Sequence, residues 1–268
     1  MNSIKNIIAN FKKYSFLMKQ LIMRDFKVKY KRSVLGIVWS ILYPVLMMLV
    51  MAAVFSQMFK FHMDGVNYLV YLMTGLVMFN YFSEASQTAM TSVVYNFSLI
   101  NKVYIPKYIF PIAKTFFVGI NFLLTLIPLF AIILFTGSGE TRCIINFWYL
   151  LLPYIFLCML LFTMGVGLLI STISVFLRDM FYIYGIILTI WNYITPVFYD
   201  LSIIPSALQP IFKLNPLYMF INGARSIILY GTPPSIVDLG VMLLVSLATL
   251  VLGSIIFKKN QDKFIYYV

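Results

Sequence analysis

Asn80, Glu84, Gln87 and Thr91 recur at i, i+4, i+7 and i+11 inside an otherwise apolar stretch, which places them on a single face of a helix. A carboxylate in such a stretch is expensive: acidic or basic side chains at mid-membrane cost about 2.5–3.5 kcal/mol on insertion scales. Glu84 is therefore expected against protein or water, not lipid. Two readings stay open. The stripe is a polar line along a transport path, or Glu84 is half of a structural ion pair, with Lys114 as one reachable partner. Aromatic residues stand around it, Tyr43, Tyr71, Trp191, Phe198 and Tyr199 among them, in a chain that is 18% aromatic. Rings with an apolar body and a polar tip suit the gripping of sugars in a wet channel. The same rings also serve as an interfacial belt and bundle core, where they need no ligand.

Other chemistry is thin. His62 is the single histidine, and Cys143 and Cys158 are the two cysteines, so the sequence holds neither a metal-ligand cluster nor a cysteine framework. No G-x-x-x-x-G-K-[ST] phosphate loop occurs, which excludes ATP binding by that route. The scattered carboxylates and the isolated histidine form no nucleophile–base set, and no catalytic residue is assigned. A net charge of +12 would suggest nucleic acid in a soluble protein. Here the basic residues flank apolar runs and point to membrane lipid.

Those runs define the elements that must position the polar stripe. The chain is 62% hydrophobic and 10% charged, where a soluble domain carries about 25% charged residues. Spans are predicted over 34–57, 67–93, 109–136, 147–174, 181–199 and 236–257, several of them reaching the roughly 20 residues a bilayer core demands. The fold class is an all-α polytopic membrane protein with six transmembrane helices. Sixteen of the 20 Lys and Arg residues fall in 1–33, 94–115, 175–180 and 258–268, so the positive-inside rule puts both termini in the cytoplasm. Residues 1–33 read as an amphipathic helix lying in the headgroup region, with Ile4, Ile8, Phe11, Met18 and Leu21 on its apolar face. Asp25 falls near that face, so the helix bends there or a nearby base pairs with it.

Between the second and third spans, Leu99, Ile100, Val103 and Tyr104 make a short apolar face closed by Pro106. That pattern fits a connecting loop or a helix seated in a partner's groove. The segment 200–235 is too short-winded to span and too apolar for a solvated loop. Ile203–Phe212 and Leu217–Tyr230 read as two helical pieces broken at Asn215-Pro216, a re-entrant hairpin. Arg225 within it needs a carboxylate or carbonyl partner, or a route to water. Residues 258–268 form a cytoplasmic tail.

Three stretches together resemble the permease subunits of type-2 ABC exporters, in the branch that exports O-antigen, capsule and teichoic acid. The first runs from Arg24-Asp25 through Lys31-Arg32-Ser33, Gly36 and Trp39 to Pro44. The second is Val175-Phe176-Leu177-Arg178-Asp179, followed by Thr195-Pro196-Val197-Phe198-Tyr199 and Ile204-Pro205. The third is Leu214-Asn215-Pro216-Leu217 with Arg225 ten residues after Asn215. Order and spacing fit over nearly the whole chain, and Thr195, where the family often has Ser, is the one departure noted.

The resemblance implies a homodimeric permease of the bacterial cytoplasmic membrane, paired with two copies of a separate ATPase that would hold the ATP and Mg. No cofactor is expected in this chain. It makes the segment around 95–106, with Phe97, Leu99, Ile100, Lys102, Val103 and Tyr104, a coupling helix. Arg178 and Asp179 become a secondary ATPase contact. Tyr43, Tyr71, Asn80, Glu84, Gln87, Thr91, Trp191, Phe198 and Tyr199 become candidates to line the path of a lipid-linked glycan. Lys27, Lys29, Lys31 and Arg32 at the rim are candidates to attract its pyrophosphate, or anionic lipid. An exporter of drugs or small lipids shares these motifs. A self-contained secondary transporter would show internal repeats, and none is visible.

Overall fold

The computed structural model describes residues 2–31, 33–54, 67–102, 105–136 and 146–267, the side chains of 2–13, 52 and 136 excepted. Arg32, His62, Val103, Tyr104 and Cys143 lie outside the described residues. Every regular element described is helical: α1 (Asn2–Tyr30), α2 (Val38–Ala53), α3 (Tyr68–Tyr95), α4 (Phe97–Ile100), α5 (Ile109–Thr136), α6 (Leu152–Phe176), α7 (Met180–Ile194), α8 (Gln209–Lys213), α9 (Pro216–Ile228) and α10 (Ile236–Asn260). Short 3₁₀ segments precede α6 (Phe147–Leu151) and follow α10 (Gln261–Tyr266).

Among the described residues three helical stretches, Ile109–Phe135, Phe147–Phe176 and Ile236–Tyr266, are long and apolar enough to cross a membrane, while α2 and α7 contribute shorter apolar helices. The chain is an integral membrane protein. α3 has 28 residues, about 42 Å at 1.5 Å per residue, and its lower apolarity comes from the polar stripe. The starts of these helices are written in polar side chains. Asn67 accepts from the N–H groups of Leu69 and Val70, Asn146 from Trp148, Asn215 from Leu217 and Ser235 from Asp238, each satisfying a donor that the first turn leaves open.

Several expected boundaries shift, three of them for a backbone reason. α7 stops at Ile194 instead of 199, because Pro196 keeps Thr195 extended (ψ 124°). The first piece of the 200–235 hairpin is not a helix over 203–212. Pro205 and Pro210 break it into a 3₁₀ turn at Leu201–Ile203 and the five-residue α8. Among the described residues of the expected 95–106 helix, Tyr95 closes α3 and Phe97–Ile100 form a separate short helix, since Asn96 leaves the helical conformation between them and Pro106 disfavours it at Ile105.

α3 sits centrally, flanked by α5 and α6, with α9 tucked against α3 and α6 and α10 running along α6. The larger core joins Phe82, Phe162, Phe220, Leu217 and Ile227. Cys158 is free and fully buried in it, as a small packing residue. A second cluster gathers Leu21 of α1, Ile100 of α4, Phe110 of α5, Phe257 of α10 and Phe264. α6 and α10 touch through backbone: a Cβ on Gly165 would stand 2.6 Å from the Leu250 nitrogen, and one on Gly253 would run into the Gly165 carbonyl.

Candidate functional site

Among the described residues three polar clusters interrupt this apolar bundle. The first is at the α1–α5 contact. Asp25 is 8% exposed, forms an ion pair with Lys114 at 2.8 Å and accepts from Arg24 at 3.1 Å. Arg24 also donates to Asn96 Oδ1 at 3.0 Å, while Asn96 Nδ2 donates to the Ser92 carbonyl at 2.7 Å. α1 is thereby tied both to α5 and to the break between α3 and α4. The apolar face of α1 keeps Asp25 because a base on a neighbouring helix reaches it.

The second cluster surrounds Glu84. Its carboxylate pairs with Lys29 at 2.8 Å, both side chains being partly exposed. Lys114, the partner the sequence suggested for Glu84, is spent on Asp25 instead. The rotation of α5 relative to α1 and α3 decides this, and a single sequence does not fix that rotation. Lys29 and Glu84 stand at a cavity of about 430 Å³ bounded by α1, α2, α3 and α5, which Trp39, Tyr43, Asn80 and Asn121 also line. Tyr30 donates to Asn121 Oδ1 at 2.9 Å and also hydrogen-bonds Ser40. Gln87 is exposed and Thr91 half-buried further along the same face of α3; the Thr91 hydroxyl donates back to the Thr88 carbonyl.

The third cluster joins two of the sequence motifs into one junction. Arg225 of α9 is 2% exposed and donates to the carbonyls of Pro196 (2.6 Å), Val197 (2.9 Å) and Tyr71 (3.1 Å). Its guanidinium lies 3.4 Å from the centre of the Tyr71 ring. Gly75 makes room for it, since a Cβ there would sit 2.6 Å from Arg225 Nη2. Beside it, Asn215 Nδ2 donates to Thr195 Oγ1 (2.8 Å) and Trp191 Nε1 donates to Asn215 Oδ1 (2.9 Å). Thr195 here does what a Ser hydroxyl would do. Tyr68 and Tyr71 donate to the Phe198 and Tyr199 carbonyls at 2.9 and 2.7 Å. The requirement that Arg225 find carbonyls is met without a carboxylate.

The nine path candidates therefore divide. Tyr43, Asn80 and Glu84 line the cavity, and Gln87 and Thr91 extend its polar face. Tyr71 and Phe198 are buried, and with Trp191 and Tyr199 they build the Arg225 junction. Lys27, Lys29 and Lys31 are exposed at the end of α1. Leu99 and Ile100 turn inward to the second apolar cluster, leaving Asn101 and Lys102 exposed beside the turn that carries exposed Arg178 and Asp179. The rings of Tyr95 and Phe181, 6.4 Å apart, bring these two loops to the same end of the bundle. Lys107 caps that end by donating to the Gln261 carbonyl at 2.6 Å; burial lowers its pKa, opposed in part by Asp262.

Sequence reasoning missed Asn121 and Gly75, and it offered Lys114 to Glu84 although it asked for a base beside Asp25. Asn121 is an isolated polar residue in an apolar span, the signal that would have found it.

Residues 17–229 match the family described as ABC-2 type transporter. The chain belongs to that family. Within it, this ABC-2 chain is 29% identical over 241 residues to the O-antigen export system permease protein RfbA of Klebsiella pneumoniae, covering 90% of each protein. It is 27% identical to the Myxococcus xanthus protein of the same name, over 96% of this chain and 97% of that one. It is 23% identical to the polysialic acid transport protein KpsM of Escherichia coli, over 95% of this chain and 97% of the relative. In this ABC-2 chain the matched region takes in all three polar clusters.

Proposed function

We propose that this chain is the membrane permease of an ABC exporter that carries a lipid-linked polysaccharide out across the bacterial cytoplasmic membrane. The observation that carries the reading is end-to-end similarity to permeases named for O-antigen and polysialic acid transport, over 90% or more of both chains. The missing phosphate loop fits it: the ATP and Mg belong to a separate ATPase, two copies of which join a permease homodimer.

In this reading α2, α3, α5, α6, α7 and α10 are the six spans, with both termini in the cytoplasm and α8–α9 a re-entrant hairpin on the outer face. α4 and the Arg178–Asp179 turn meet the ATPase, and the Asp25 cluster passes its motion into α1, α3 and α5. Separation of the two protomers then admits the glycan, whose polyprenyl tail stays beside lipid while its sugars follow the polar face of α3.

The test is co-expression with an ABC ATPase subunit from the same genome, followed by co-purification and ATPase assay with and without added lipid-linked glycan. A stable complex with faster turnover on glycan is the expected result. Stimulation by small amphiphiles alone moves the cargo to drugs or lipids, and absence of a complex overturns the reading.

A further inference from the structure

We infer that the cavity between α1, α2, α3 and α5 is a subsite for an uncharged hexose unit, and that it does not take a phosphate. The inference rests on the exporter reading above and names what one part of that path holds. At about 430 Å³ the cavity falls in the size range of small-molecule sites.

Its chemistry is that of carbohydrate recognition. Lys29 is the cation that would draw a phosphate, yet its ammonium is 2.8 Å from the Glu84 carboxylate. An incoming anion would meet that carboxylate at the same spot and be repelled. A sugar hydroxyl has no such conflict: it donates to Glu84 and accepts from Lys29 without separating them. Asn121 is 4% exposed, its Oδ1 occupied by Tyr30. Its Nδ2 has no partner among the described residues, a buried donor whose desolvation a ligand hydroxyl would relieve. Asn80 adds an exposed amide on the facing helix. Trp39 and Tyr43, 45% and 56% exposed, offer ring faces for the apolar side of a pyranose.

The test uses the permease–ATPase complex in nanodiscs and tryptophan fluorescence, with p-nitrophenyl hexopyranosides (gluco, galacto and manno) as quenching probes and p-nitrophenyl phosphate as the anionic comparison. Saturable quenching by at least one hexoside and linear quenching by the phosphate are expected. N80A and N121D should each weaken hexoside binding about ten-fold, the loss of one hydrogen bond. W39A should abolish the saturable signal, which places the probe at this cavity. N121D keeps the acceptor for Tyr30, and N80A alters an exposed position, so the second decides if the first does not fold. Saturation by the phosphate instead of the hexosides overturns the inference in favour of a lipid headgroup. No saturation by either, in a complex whose ATPase responds to glycan, overturns the subsite and leaves the exporter standing. Hexoside binding in a complex that glycan does not stimulate supports the subsite and counts against the exporter.

Discussion

The Arg225 junction and the Asp25 cluster solve the same problem, a buried charge in an apolar bundle, in opposite ways. Arg225 is held by three backbone carbonyls and a ring, and no carboxylate approaches it closely enough to pair among the described residues. Asp25 is held by two side-chain cations, one of them 23% exposed. Carbonyls cannot move without moving their chain, so the first arrangement fixes where α3, the 195–199 turn and α9 meet. Side-chain ion pairs can lengthen, exchange or hydrate, so the second ties α1 to α5 and Asn96 while leaving room for displacement. One end of the bundle is pinned and the other is hinged. The Lys29–Glu84 pair, exposed on both partners, lies at the loose extreme.

Substitutions at four positions test that ranking, in falling order of effect. R225A should cost at least about 3 kcal/mol, since three buried carbonyls each lose a partner at roughly 1–3 kcal/mol apiece. Little monodisperse protein should survive detergent extraction. R225K should fare no better, because a single ammonium cannot fork to three carbonyls. Folded R225K at wild-type yield would break the idea of a pinned end. G75A should cost about 1–3 kcal/mol by pushing a methyl onto Arg225 and Val197, read as a lowered unfolding midpoint in detergent. D25A should cost about 1–2 kcal/mol, less than a fully buried charge pair because Lys114 can turn to water. The exchange D25K/K114D should restore part of the lost midpoint, which a packing defect alone would not allow. E84A should shift the midpoint by less than about 1 kcal/mol, as exposed pairs do, while export by the reconstituted complex falls. Equal losses of folded protein and of export would make Glu84 structural.

Much of this fold was legible in the chain, because apolar runs with polar caps announce where they begin: α10 starts at the expected 236, directly after the capping Ser235. What escaped depends on how helices rotate about one another. Glu84 and Asp25 each asked for a base and the sequence offered several; it does not say that Lys29 faces the first and Lys114 the second. Arg225 announced its need for carbonyls, yet their owners lie up to 154 residues away. The path candidates were chosen by residue type, which cannot separate Tyr43 on an open cavity from Tyr71 in a closed core. Proline explains the shortened first piece of the hairpin, and Pro205 and Pro210 were in view from the start.

The glycine contact between α6 and α10 has a practical use. Two backbones that touch at Gly165 and Gly253 have no side-chain cushion to compress, so the pair should move as a single rod through any transport cycle. Spin labels on their outward positions, Ile173 and Leu252 for instance, would then form a built-in ruler. Their separation stays constant with and without nucleotide, and every other distance change in the molecule can be measured against it.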